Sequence, residues 1–442
     1  MHPAAHEEFA TWNGFVRGPV ARIERPADEA AVVDAIARAR AEGLPVKVVG
    51  GTHSFTDILG TDGVLLDLER LTGLVAVDGG IVRARGGTRL ADLVIALEAR
   101  GLALPNIGAW MEQTLAGALA TGTHGSSGRH RDTLLAALRG VRLVDGRGQV
   151  VALAGDELRA LTLGMLGVIT EVTIACPPLF HCVRVKEIVD VDEAIANIDD
   201  ALAAHDFVDL RWVGRIRKGT LTKWDKTDAA PTGSDRRSAC LEGYLLAGLH
   251  RFLRAYPYDR APKRLSRGLL HVLGYANTLL AFHRPQNQVW YRALTYNSRG
   301  VMAPHDEYEL AVPRARAAGA VQEMRRILRA DHRGAGLEFQ IRFDPPSPVA
   351  LSPTQERESA WIDINVFDRA QARPVAERLA TLVYEEYEGR PHWGKHIPEV
   401  AGDLRPLYGE AAARFDELRA RLDPDGVFVN AWSRRHLPPL EA

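Results

Sequence analysis

VKVVGGTHSFTDILGTDG, residues Val46 to Gly63, joins an apolar strand, Val46 to Val49, to a loop that opens on paired glycines and then gathers Thr52, His53, Ser54 and Asp57. Glycines at 50 and 51 let the backbone take positive φ and approach a ligand closely, so successive N–H groups converge on an anion. A second glycine-rich segment, TLAGALATGTHGSSGRHRDT, repeats the feature at residues 114–133. Two such loops suit backbone amides wrapped around a pyrophosphate. Neither is GxGxxG after a first strand, and no GxxxxGK[ST] occurs, so neither a Rossmann site nor a P-loop is supported.

The flanking sequence alternates helix and strand. Asp28 is placed to cap a helix whose apolar residues Val32, Val33, Ile36 and Ala37 recur at helical spacing until Gly43. Strands are expected at Val64–Leu68, Ile81–Arg85, Leu138–Leu143, Val150–Leu153 and Leu166–Ala175, and a helix carries Leu90, Leu93, Val94 and Leu97 toward Gly101. Near residue 177 the character changes. A second strand-and-helix unit follows, with a polar loop expected from Lys218 to Arg237. Two apolar stretches, Tyr244–Leu253 and Leu269–Phe282, flank the basic connection RAYPYDRAPKRLSRG and are read as an amphipathic hairpin; the rival is a peripheral membrane or partner surface. A last helix carries Phe415, Leu418 and Leu422 on one face.

With 442 residues the chain has room for two cores, since single cores rarely exceed about 250–300 residues. A formal net charge of -1 supplies no global field for nucleic acid or an anionic membrane, and neither partner is expected. Cys176, Cys182 and Cys240 form no CxxC pair and no disulfide framework, which fits a reducing compartment. The opening residues lack a basic n-region and an apolar h-region, and no uncharged apolar run of about 18 residues occurs. A soluble cytoplasmic protein is expected.

GGTHSFTD (Gly50–Asp57), ATGTHGSSG (Ala120–Gly128), LGVITEVT (Leu166–Thr173), HWGK (His392–Lys395) and LDPDGVFVN (Leu422–Asn430) fall in an order that resembles the aldonolactone and alditol oxidases, FAD enzymes of the vanillyl-alcohol-oxidase type. The resemblance runs from Trp12 to Asn430 and is weakest between residues 178 and 290. It implies an α+β protein: a two-subdomain FAD-binding domain over residues 1–177, an α+β cap or substrate domain over 178–411, and a return of 412–442 to the FAD-binding domain. It also implies FAD contacts from Val49, Gly50, Gly51, Thr52, His53, Ser54 and Asp57 in the first loop. Gly117, Thr121, Gly122, Thr123, His124, Gly125 and Ser126 in the second segment join them, with Gly167 and Ile169 from the following strand. His53 matches the histidine that this family often bonds to the flavin 8α carbon, and a neutral imidazole is a suitable nucleophile for that bond. The alternative is a histidine that only donates a hydrogen bond across its loop. His124 is read first as holding its own loop together, with a place at the flavin edge as the other reading.

LEFQIRF reads as a strand in which Glu338, Gln340 and Arg342 share one face. The family pattern there is glutamate, any residue, arginine; Arg342 matches it and Gln340 departs from it. Glutamine can hydrogen-bond a hydroxyl but cannot take its proton, so another base or solvent must do so. Glu338, about 7 Å along the strand, is one candidate. Lys395 matches the family's lysine at the flavin ring, where an ammonium stabilises developing negative charge. Gln340, Arg342 and Lys395 form the expected catalytic set. His392 and His396 stand four apart, as a metal pair on one helical face would, but no third ligand accompanies them and no metal is expected. Glu307 and Glu309, in the cap strand HDEYELAVP, are assigned to its solvated face, and Asn297 and Arg299 are further pocket candidates.

The expected reaction is oxidation of a CH–OH group in a sugar lactone, alditol or related polyol. Hydride passes to flavin N5 of His53-linked FAD, and dioxygen reoxidises the flavin to give hydrogen peroxide. Rival readings are a dehydrogenase that passes electrons to a quinone or other carrier, an oxidase of a complex secondary-metabolite alcohol, and a flavin-binding protein whose catalytic face has decayed. A small-molecule alcohol and dioxygen are the expected partners; oligomeric state stays open.

Overall fold

A computed structural model of the chain describes residues 7–108, 110–235, 288–290 and 303–438, with scattered positions between 237 and 272. An antiparallel ribbon of β1 (Glu7–Ala10) and β2 (Arg17–Val20) comes first. Asp28 then accepts a hydrogen bond from the Ala31 N–H (2.8 Å) and opens the helix Glu29–Ala41, after which Gly43 turns the chain at φ 68°. The buried side of this helix, Val32, Ala35, Ile36 and Ala39, shares a core with a parallel sheet ordered β3 (Arg22–Glu24), β5 (Val64–Asp67), β4 (Val46–Val49).

A second, antiparallel sheet is ordered β6 (Leu74–Asp78), β7 (Ile81–Arg85), β10 (Val168–Ala175), β8 (Leu138–Val144), β9 (Val150–Leu153). β10 lies between two partners, which is why LGVITEVTIA reads as an interior strand: Val168, Ile169, Val172 and Ile174 are all buried. The end of the chain returns to these layers. Phe415, Leu422 and Trp432, from the helices Glu410–Leu422 and Ala431–His436, join the core under the second sheet, and Phe428 joins the core of the first.

The third sheet has eight antiparallel strands, ordered β14 (Gln288–Trp290), β11 (His181–Asp190), β13 (Lys218–Thr227), β12 (Phe207–Val213), β16 (Glu338–Asp344), β17 (Ser359–Val366), β15 (Asp306–Pro313), β18 (Arg390–Pro391). Period-two alternation sends Tyr308, Leu310, Phe339, Ile341, Ile362 and Ile364 to one face, where they share a core with the helices Ala317–Ala330 and Arg369–Glu386. Each fully buried side chain of this kind contributes about 1.5–3 kcal/mol of transfer free energy. The opposite face carries Glu307, Glu309, Asp363, Gln340 and Arg342. Register sets Glu309 against Asp363, Asp363 against Gln340, and Gln340 against Arg211, one row across four strands.

Two expectations fail. Lys218–Thr227 is a strand, not a loop, and pairs with β11 over its whole length. Its threonines are β-branched and fit a pleat between two neighbours, which polar composition alone does not reveal. Glu307 and Glu309 are not solvated; they are 6% and 0% exposed. The face opposite the helices is covered, because His124 from the second glycine-rich segment and the turn bearing Lys395 lie against it. The expected hairpin of Tyr244–Leu253 and Leu269–Phe282 lies mostly outside the described residues, and the pocket candidates Asn297 and Arg299 lie wholly outside them. Among the described residues no helix is long and apolar enough to cross a membrane.

Candidate active site

The loop after β4 is built for close approach. A Cβ at Gly50 would lie 2.0 Å from Thr114 Oγ1, and one at Gly51 would lie 2.5 Å from the Glu112 carbonyl oxygen, so neither position admits a side chain. Thr52 follows at φ 54°, a left-handed conformation that few threonines adopt. The loop borders a cleft of about 910 Å³, mouth included. Val49, Gly50, Gly51, Thr52, His53 and Ser54 line it. Gly117 and Thr121 line it from the second segment, Gly167 and Ile169 from the start of β10, and His392, Gly394 and Lys395 from the turn after β18.

The structure sets the remaining expected residues elsewhere. Asp57 points to the surface and pairs with Arg435 (2.8 Å). Gly122 turns at φ 71° beside Leu161, and Thr123 Oγ1 accepts a hydrogen bond from Gln113 Nε2 (3.1 Å). Gly125 packs against Asn106, and the Ser126 hydroxyl donates to the Val208 carbonyl. This half of the second loop therefore ties the first lobe to the eight-stranded sheet. His124 stacks on Trp361 (3.9 Å between ring centres, 11° between planes), donates from Nδ1 to the Gly125 carbonyl (3.0 Å), and brings Nε2 within 3.3 Å of Glu309.

Gln340 and Arg342 stand on the buried face of the sheet, beyond the cleft wall. Arg342 pairs with Glu309 and lies 3.8 Å from Asp363; Lys395 pairs with Glu307 and sits over the Phe55 ring at 4.7 Å. With its amide oxygen and nitrogen exchanged to match the donors around it, Gln340 accepts from Arg211 Nη2 (2.8 Å) and Nε (3.2 Å). Burial opposes charge on every group here, and the pairing decides which charges survive. Lys395 and Arg342 are both raised despite burial, by Glu307, Glu309 and Asp363 for the first and chiefly by Glu309 and Asp363 for the second. Burial would raise Glu307, but Lys395 overrides it and holds that carboxyl at about 2. Arg342 likewise holds Glu309 well below the usual range. Asp363 goes the other way: burial and the charges of Glu307 and Glu309 push it well above the carboxylate range.

His53 accepts a hydrogen bond at Nε2 from the Trp110 indole N–H (2.9 Å), and Trp12 flanks both rings. Burial, with Arg89 and Lys395 nearby, drops His53 to about 3, so the ring is neutral. His392 is neutral for the same first reason, also at about 3. Its Nδ1 accepts from the Gly394 N–H (3.0 Å), which leaves Nε2 as the proton-bearing nitrogen. His392 and His396 do not share a helix; they follow β18 in a turn, and His396 faces Asp306 (2.9 Å). Among the described residues His124, Glu309 and His392 bring their ligand-type atoms within 4.8 Å of one another, with the Glu309 carboxylate held by Arg342. Sequence reasoning missed Glu307, Glu309, Asp363, Trp110 and His392 as members of this site.

The walls fit FAD on the structure's own terms. Two glycines admit no Cβ, the cleft is walled by both glycine-rich segments, and the buried Lys47 ammonium and the neutral His53 ring both border it. A profile of the D-arabinono-1,4-lactone oxidase family matches residues 172–436, and one of an FAD-binding domain matches residues 20–154. The chain is 30% identical to an L-gulono-1,4-lactone dehydrogenase of Mycobacterium tuberculosis, over 98% of this chain and 99% of that one. It is 30% identical to an alditol oxidase of a Streptomyces species (96% and 97% covered) and 27% identical to an L-gulonolactone oxidase of Mus musculus (98% and 98%). A solved cholesterol oxidase from B. sterolicum shares the fold at TM-score 0.76, with 16% identity and 98% and 97% of the two chains covered. The chain therefore belongs to the aldonolactone oxidase family and is an FAD-linked oxidoreductase.

Proposed function

We propose that the protein oxidises a CH–OH group of an aldonolactone, alditol or related polyol, with FAD held covalently through His53 and dioxygen as the electron acceptor. The observation that carries this reading is the buried polar face next to Lys395. There Glu309 Oε2 and Arg342 Nε have no hydrogen-bond partner among the described residues. Buried polar atoms are rarely left so, and a polyhydroxylated substrate brings donors and acceptors that satisfy them. When bound, FAD supplies the two-electron oxidant that takes hydride from the substrate carbon.

The chain's own residues handle charge and protons. Lys395 stays an ammonium at the cleft wall, where it stabilises negative charge on a substrate oxygen. His392 presents an N–H rather than a charge. Glu307 and Glu309 are held ionised and are weak bases. Asp363, 3% exposed and directly across the ladder from Gln340, is the carboxyl whose surroundings favour taking a proton. It supplies on β17 the function that Gln340 cannot supply on β16. His53 is neutral and its one ring lone pair, on Nε2, accepts from Trp110, so bonding to the cofactor requires either that this hydrogen bond breaks or that Nδ1 gives up its proton.

The test is anaerobic titration of the purified protein with a panel of aldonolactones and alditols. Yellow colour that survives acid precipitation and bleaches with members of the panel supports the reading; a full flavin complement that none of them bleaches refutes it. Rapid recovery in air with peroxide release identifies dioxygen as the acceptor. Slow recovery in air alongside fast reduction of an artificial dye identifies a dehydrogenase.

A further inference from the structure

Lys47 stands in the middle of the apolar strand Val46–Val49, is 1% exposed, and lines the cleft. Among the described residues its Nζ reaches only two carbonyls, those of Leu163 (3.5 Å) and Gly164 (3.4 Å). Leu163 and Gly164 both take positive φ, 50° and 61°, in the turn that presents those oxygens. Among the described residues the charge acting on Lys47 is that of Asp423, whose two oxygens already accept the backbone N–H groups of Val427 (2.8 Å) and Phe428 (3.0 Å). An ammonium has three donors and needs a counter-ion when buried. Here burial pushes the group down to about 8 against the opposing charge of Asp423.

Lys47 precedes His53 by six residues, a span of at most about 20 Å at roughly 3.3 Å per residue. Both residues line one cleft, so a dinucleotide with its isoalloxazine against His53 would extend its remainder, which brings two phosphate charges, along walls that include Lys47. The other lysine of the cleft, Lys395, is committed to Glu307, and His53 and His392 are neutral. We propose that Lys47 is the counter-ion of the adenosine diphosphate half of FAD, held in the cleft floor by the Leu163 and Gly164 carbonyls until the nucleotide arrives. The proposal rests on FAD occupying this cleft with its ring at His53.

The experiment uses the full chain carrying His53→Ala, so that flavin binding is an equilibrium. Adding Lys47→Met is expected to weaken FAD and ADP by a common factor of about 10 to 100, and Lys47→Arg to recover most of it. Unchanged ADP affinity in Lys47→Met overturns the proposal. A second readout keeps Lys47: FAD affinity falls by about tenfold per pH unit above about pH 8, as the unbound ammonium deprotonates. Asp423 is the other titratable group facing Nζ, and comparison with Lys47→Met at each pH removes its contribution. An affinity that is flat from about pH 7 to 9 sinks the idea even if Lys47→Met fails to fold. Either failure leaves lactone oxidation untouched, whereas a protein that binds FAD through Lys47 but oxidises no lactone leaves this proposal standing.

Discussion

Lys395→Met separates what the buried charge layer does for stability from what it does for chemistry. Glu307 is 6% exposed, and its carboxyl, which burial would raise, is brought from 4.5 to about 2 chiefly by the Lys395 ammonium. A shift of about 2.5 units at roughly 1.36 kcal/mol each corresponds to about 3 kcal/mol of native-state stability. That lies at the lower edge of the roughly 3–5 kcal/mol lost when one partner of a buried pair is removed. The folded-state pKa is depressed, so this contribution is complete above about pH 4.5 and disappears as pH falls toward about 2. Lys395→Met should therefore lose about 3 kcal/mol at pH 7 and progressively less as pH falls from about 4.5, where Glu307 of the unfolded chain protonates, to about 2, where that of the folded protein does.

Thermal unfolding of the four members of a double-mutant cycle, with Glu307→Gln as the second change, measures the coupling directly. Lys395→Met/Glu307→Gln should regain most of the stability that Lys395→Met loses, because no uncompensated carboxylate remains. It should not regain turnover, since the ammonium at the cleft wall is still missing. Losses that simply add at pH 7 would refute the argument that these two side chains form one electrostatic unit.

Three further outcomes follow from the geometry. His53→Ala should bind FAD but release all of it on acid precipitation, and flavin that stays with the denatured chain would assign the linkage to another residue. Asp363→Asn should lower turnover by about 10²–10⁴-fold and remove the acid limb of its pH profile. Because the Asp363 pKa is raised in the folded state, its ionisation weakens folding as pH rises; the variant should be at least as thermostable at pH 8, and an unchanged turnover profile would return the proton to solvent. Gly51→Ala forces a Cβ to within 2.5 Å of the Glu112 carbonyl and 2.9 Å of His53 Cδ2, so flavin content, read from the absorbance ratio, should fall together with about 1–3 kcal/mol of stability.

The first lobe was legible in the sequence because its signals are local. Asp28 caps its helix through its own side chain, the paired glycines after Val46–Val49 mark a close backbone approach, and β10 alternates buried Val168, Val172 and Ile174 with half-buried Glu171 and Thr173. The reacting face was not legible for a reason equally physical. Alternation in HDEYELAVP separates Tyr308 and Leu310 from Glu307 and Glu309, but a two-fold period reports only that the faces differ, not that the polar one meets water. Here it meets Lys395, Arg342 and His124, which arrive from positions 88, 33 and 185 residues away from the carboxylates they face, and only a tertiary contact can distinguish a solvated carboxylate from a paired one. The same blindness hid Asp363, whose relation to Gln340 exists only in the ladder between β16 and β17. Lys47 left the one trace a sequence could carry, a lone charge inside VKVV, and a strand that buries such a charge without a carboxylate partner is a strand that expects an anion from outside.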